Sequence, residues 1–87
     1  MLDEFLDKKI CVDFGTHYVC LGTLKRIDAE FLELRNADLH DLRDTETSRE
    51  NYVAASVATG IKRNRKRVIL FRRDIVAVTL FDEIAES

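Results

Sequence analysis

Gly22-Thr23-Leu24-Lys25-Arg26-Ile27-Asp28-Ala29-Glu30-Phe31, continued by Leu32-Glu33-Leu34, is the stretch whose reading decides the fold. A glycine inside a strand-like run lets a long strand bend sharply. The corner Ile27-Asp28-Ala29-Glu30 turns the chain, and Phe31-Leu32-Glu33-Leu34 resumes a strand that Asn36, Asp38 and Asp41 are expected to end. Upstream, Ile10 to Phe14 is β-branched and aromatic, Gly15-Thr16-His17 supplies a turn, and Tyr18 to Leu21 leads into the glycine, which is a hairpin signal. Downstream, Val68-Ile69-Leu70-Phe71 and Ile75 to Phe81 are two more apolar strands, separated only by Arg72-Arg73-Asp74. Five short, bent strands predict a mainly β domain, a small open barrel of the SH3-like or OB type, and the element order favours the SH3-like one.

The flanks complete this architecture. Leu2, Phe5 and Leu6 recur on a helical period among Asp3, Glu4, Asp7 and Lys8, which predicts a short N-terminal α-helix in need of an apolar partner. Residues 39–67 form an insertion between strands three and four. Within it Thr47-x-x-Glu50 reads as a capping box, Tyr52, Val53, Ser56 and Val57 share one helical face, and Gly60 suits a C-cap. A short helix is expected there; an extended hairpin is the alternative, because Tyr52, Val53 and Val57 also suit strands. Residues 1–87 read as a single domain without repeats or linkers.

Composition narrows the function classes. The chain has 87 residues, 46% hydrophobic and 34% charged, enough for one modest core of the kind that self-association often reinforces. Its net charge of −2 and pI near 5.6 exclude a globally basic nucleic-acid binder. The distribution is uneven, however: 7 of the 14 Lys and Arg residues lie between Lys62 and Arg73, while acids gather at the ends (Asp3, Glu4, Asp7; Asp82, Glu83, Glu86) and between Asp38 and Glu50. A local basic surface follows. Cys11 and Cys20 lack metal or redox spacing and read as reduced, buried thiols of a cytoplasmic protein. His17 and His40 read as turn and loop residues, so neither a metal nor a cofactor is expected. No stretch is long and apolar enough to span a membrane. No phosphate loop or nucleophile elbow is present, so an enzyme is not expected. Phe14, Tyr18, Phe71 and Phe81 have strand spacing and are expected in the core.

The deciding stretch resembles the first motif of the Sm-like (LSm) family, Gly-x-Leu-x-x-x-Asp-x-x-apolar, and Ile69-Leu70-Phe71-Arg72-Arg73-Asp74-Ile75-Val76 is similar to its second motif. The likeness covers residues 1–37 and 66–81. It implies an Sm-like barrel assembled into a homo-oligomeric ring of about five to eight subunits, with the fourth strand of one subunit on the fifth of the next. Val68, Ile69, Leu70, Phe71, Ile75, Val76 and Val78 would then lie at the contact between subunits. It also implies single-stranded RNA, often uridine-rich, along the inner rim, with Asp28, Glu30, Leu32, Arg72, Arg73 and Asp74 at the matching positions.

The departures from the pattern are informative. Leu32 stands where a base-bonding Asn is usual, unless that Asn is deleted by a one-residue gap; Glu30 replaces a stacking residue, and Arg73 replaces a Gly. An acid and a leucine do not reproduce uracil readout, which leaves a general site for an anionic strand on Arg72 and Arg73, with Asp28 orienting the guanidinium. Alternatively, Arg72 and Arg73 form salt bridges with Asp28 or Asp74. Lys62, Arg63, Arg65, Lys66 and Arg67 read either as a second phosphate-contacting loop or as solubilising residues beside an edge strand. The contrasting function is a ring that binds a protein partner through Leu39 to Gly60.

Overall fold

Five strands, β1 (Lys9–Phe14), β2 (Tyr18–Ile27), β3 (Phe31–Asp41), β4 (Arg65–Phe71) and β5 (Ile75–Leu80), pair antiparallel in the order β4-β3-β2-β1-β5 in the computed structural model, which describes residues 1–44 and 46–85. Thr45 of the insertion and Glu86 of the acidic C-terminal run lie outside the described residues. β4 and β5 are the two edges, so the strongly bent sheet is an open barrel with a free backbone row on each side.

The bend is built where β2 meets β3. The pairing register shifts between Leu21 and Thr23, and a Cβ added at Gly22 would stand 2.9 Å from the Cβ of Ala37 and 3.2 Å from the carbonyl oxygen of Arg35. Glycine is required there by the close approach of the neighbouring strand. Opposite it Asn36 takes a left-handed conformation, φ 51°, which asparagine tolerates better than most residues. The expectation that Asn36 ends the third strand is therefore corrected: it bulges, and β3 runs on to Asp41.

The sheet buries residues on both faces. Ile10, Val12, Phe14, Cys20, Leu24, Leu32, Leu34, Ala37 and Leu70 fill the barrel interior. On the outer face Cys11, Val19 and Leu21 are covered by Val53 of helix α1 (Arg49–Thr59), with Tyr52, Ile61, Phe81 and Ile84 beside it. The two thiols thus sit on adjacent strands but in different clusters, both free and buried.

Helix α1 is the helical alternative of the insertion. Its N-cap is Ser48, whose Oγ accepts from the Asn51 N–H at 3.2 Å, one residue beyond the expected Thr47, and Gly60 closes it at φ 98°. Tyr52 donates its hydroxyl proton to the buried Asp38, and its ring stacks on His40 with centroids 4.2 Å apart. The segment outside the sheet is narrower than 39–67, because β3 keeps 39–41 and β4 begins at Arg65. Asn64 sets that start: its side-chain amide both accepts from the Leu39 N–H (2.9 Å) and donates to the Leu39 carbonyl (3.0 Å), extending the ladder with a side chain.

Two further expectations are corrected. The N-terminal element is a 3₁₀ helix over Leu2–Phe5, not an α-helix, because Asp7 turns at φ 64° and its N–H bonds to the Leu24 carbonyl at 2.7 Å, which draws the chain onto β2. Tyr18 and Phe71 are exposed rather than core, each lying on the side of its strand opposite a buried neighbour. Among the residues expected between subunits, Leu70 is buried in its own core, and Val68, Ile75 and Val78 pack against it. Only Ile69, Phe71 and Val76 of that set are exposed.

Candidate functional site

In-register pairing of Phe31 with Phe71 carries the β2–β3 turn and the 3₁₀ turn Arg72–Asp74 to the same end of the sheet. The β2–β3 turn is held by Asp28, whose Oδ1 accepts from the N–H groups of Glu30 (2.9 Å) and Phe31 (2.7 Å), while its own N–H donates to the Phe31 carbonyl (3.0 Å). Those two backbone bonds hold the Asp28 carboxyl below its ordinary pKa, with smaller contributions from Arg26 and Arg72.

Arg72 ties one turn to the other through backbone. Its N–H donates to the Glu30 carbonyl at 2.9 Å and its Nη1 to the Asp28 carbonyl at 2.6 Å. The expected carboxylate orientation of this guanidinium is corrected: the Asp28 carboxylate is engaged by its own turn, and the carbonyl fixes Arg72 instead. Neither Arg72 nor Arg73 forms an ion pair among the described residues. Arg73 lies over the Phe71 ring, its Cζ 5.2 Å from the centroid, and Phe71 meets Phe31 at 5.2 Å with the rings tilted by 57°. Glu30, Phe31, Phe71, Arg72 and Arg73 line one groove, with Ala29 between them.

The structure therefore brings Glu30, Arg72 and Arg73 together, with Asp28 as the anchor of the turn. It does not bring Leu32, which is fully buried, nor Asp74, which is exposed outside the groove and whose carbonyl accepts from the Gly15 N–H at 3.2 Å. Leu32 is a core residue and so cannot itself reach a base. Sequence reasoning missed Phe31 and Phe71 as groove residues. The available signal was Phe71 at the end of an edge strand, with its side chain opposite in direction to that of the buried Leu70.

The second basic group is elsewhere. Lys62 and Arg63 precede β4, whereas Arg65, Lys66 and Arg67 belong to the strand rather than to a loop. Counted along β4, the near end of this group, Arg67, lies roughly 16 Å from Arg72. Arg67 is drawn into a cluster on the outer face, where the buried Glu33 carboxylate contacts Arg35 at 3.0 Å, Arg67 at 3.3 Å and Arg26 at 3.7 Å. Hydrogen bonds from Arg67 and then Arg35 hold the Glu33 carboxyl below its ordinary pKa. Arg35 and Arg67 face one another across β3 and β4, so Glu33 neutralises what would otherwise be a like-charge pair.

The fold is shared with solved structures. Over 91% of this chain and 90% of the other, the protein superimposes on the Sm protein of Pyrococcus abyssii, solved in complex with a uridine heptamer, with a TM-score of 0.63 at 14% identity. The chain has the Sm fold. An Sm-like protein from Archaeoglobus fulgidus agrees, with a TM-score of 0.61 at 18% identity over 92% of this chain and 88% of that one. No protein-family model and no curated protein matches the sequence. Within the Sm fold, helix α1 lies in the connection between β3 and β4 and folds back over the outer face of β1 and β2.

Proposed function

We propose that this Sm-fold protein binds single-stranded RNA, as an RNA chaperone or RNA-processing accessory without catalysis of its own, in a cytoplasmic homo-oligomeric ring. The observation that carries the reading is the pair of cations at the two-turn groove, Arg72 tethered by carbonyls and Arg73 laid over Phe71, neither in an ion pair among the described residues. A guanidinium held by backbone keeps its charge and remaining donors for a phosphate or a base. Repetition around a ring of about five to eight subunits would line an inner rim with ten or more such charges, roughly, and the two free sheet edges supply the means of closure. The fold neighbour solved with a uridine heptamer supports the same ligand class. Lys62, Arg63, Arg65 and Lys66, exposed at the far end of β4, suit phosphate contacts on a second face.

The test is the double variant Arg72→Ala with Arg73→Ala. It should weaken binding of a short single-stranded RNA and flatten its dependence on salt, with the assembly state unchanged; wild-type affinity in the double variant would remove the rim site. One observation favours a second reading, a ring that docks a protein partner through the insertion: Leu32, at the position where the first motif usually carries a base-bonding Asn, is buried in the core. That reading expects no RNA binding at any salt concentration.

A further inference from the structure

The groove carries a feature outside the two arginines. Phe71 is 47% exposed, an unusual state for a phenylalanine, with Phe31 tilted against its ring at 5.2 Å and the Arg73 guanidinium over it at 5.2 Å. The same groove is also lined by Glu30, whose backbone is fixed by Asp28 and Arg72 but whose exposed carboxylate has no hydrogen bond or ion pair among the described residues. An aromatic face beside a guanidinium stacks on any base. A carboxylate discriminates, because it only accepts. Adenine and cytosine each present an exocyclic amino group that can donate to it, as does guanine; uracil presents one ring N–H set between two carbonyl oxygens, which the carboxylate repels.

We infer that Phe71, braced by Phe31, is a base-stacking platform of this groove, and that Glu30 makes the groove select bases bearing an amino group over uracil. The inference rests on the RNA reading above and deepens it by naming the class of base. It also accounts for Glu30 at a position where a stacking residue is usual: stacking has moved to the end of β4, and the vacated turn position supplies an acceptor.

The experiment compares short oligo-A, oligo-C and oligo-U, each end-labelled, on the full chain by fluorescence anisotropy. Wild type should bind oligo-A and oligo-C more tightly than oligo-U by about fivefold. Glu30→Gln, which offers a donor as well as an acceptor, should bring the three within about twofold. Phe71→Leu should weaken all three by about tenfold while leaving their order unchanged. Because Phe71→Leu could also loosen the fold, an oligo-A carrying one 2-aminopurine provides a second readout: its emission should be quenched on wild type by stacking and on Phe71→Tyr, which keeps the ring face. Binding that favours oligo-U, or affinities and quenching indifferent to Glu30→Gln and Phe71→Leu, would overturn this inference and leave the rim standing. Failure of every oligomer to bind would overturn the rim reading and this inference together.

Discussion

The Arg72 guanidinium donates to the backbone carbonyl of Asp28 at 2.6 Å, across 44 residues of sequence. Together with the Arg72 N–H on the Glu30 carbonyl, it locks the β2–β3 turn to the β4–β5 turn, so the groove between them is set by backbone geometry. Asp28 in turn uses its carboxylate to hold the Glu30 and Phe31 amides. Asp28→Ala should therefore raise the hydrogen-exchange rates of those two amides and lower the affinity of the groove for an anionic strand, while Asp28→Asn, which keeps the acceptor, should restore most of both. Unchanged exchange in Asp28→Ala would show that the turn does not depend on the carboxylate.

The bend of the sheet depends on one missing side chain. Gly22→Ala sets a Cβ 2.9 Å from that of Ala37 and should cost about 1–3 kcal/mol in denaturant unfolding. Adding Ala37→Gly should recover part of the loss, since the Arg35 carbonyl at 3.2 Å remains close. A neutral Gly22→Ala would mean the strands can separate without penalty.

Helix α1 is fastened to the sheet by the Tyr52 hydroxyl on Asp38, which is 5% exposed. Tyr52→Phe leaves that buried acceptor without its donor and should destabilise by about 1–3 kcal/mol. Burial, followed by the Asp38 bond, raises the Tyr52 pKa above its ordinary 10.0. A raised folded-state pKa gives stability that is present below pH 10.0 and lost as pH rises beyond it, so wild type should lose more stability than Tyr52→Phe on alkaline titration. Equal alkaline slopes would contradict the buried phenol.

The acid side has the opposite sign. Glu33 and Asp28 are both held below their ordinary values of 4.5 and 3.8, so each contributes stability above those values that begins to fall there and is lost as pH drops through the lower folded-state values. Glu33→Gln should lower the melting temperature at neutral pH and flatten the decline below pH 4.5. An acid limb identical to that of wild type would show that the three arginines do not depend on this carboxylate.

Both thiols should be silent in the native protein. Burial, aided by Asp13 for Cys11 and by Asp38 for Cys20, pushes each pKa up to about 12. A thiol reagent at neutral pH should label neither until denaturant is added. Rapid labelling of either in buffer would contradict its burial.

How much of this was legible in the sequence follows from which forces act locally. Periodicity located all five strands because alternation and β-branching reflect burial directly, and Gly22 marked the bend. Asn36 misled because a residue that ends strands also serves in a bulge, and only the partner strand decides between the two. The N-terminal element is 3₁₀ rather than α because the Asp7 turn and its bond to Leu24 are tertiary. At the groove, Asp28, Glu30, Arg72 and Arg73 were found by motif position. Phe71 was not, since an apolar residue at a strand end gives no sign of facing a turn rather than a core. The carbonyl tether of Arg72 was likewise hidden, because side-chain bonds to distant backbone leave no pattern in sequence.

The measurement that tests the account most directly is a salt series of single-stranded RNA binding, from low to moderate ionic strength, with the mass of the same sample determined by light scattering. A closed oligomer of about five to eight subunits that binds RNA, with affinity falling steeply as salt rises, is the result expected from Arg72 and Arg73 repeated around a rim. A monomer, or an oligomer that binds no RNA even at low salt, would contradict it.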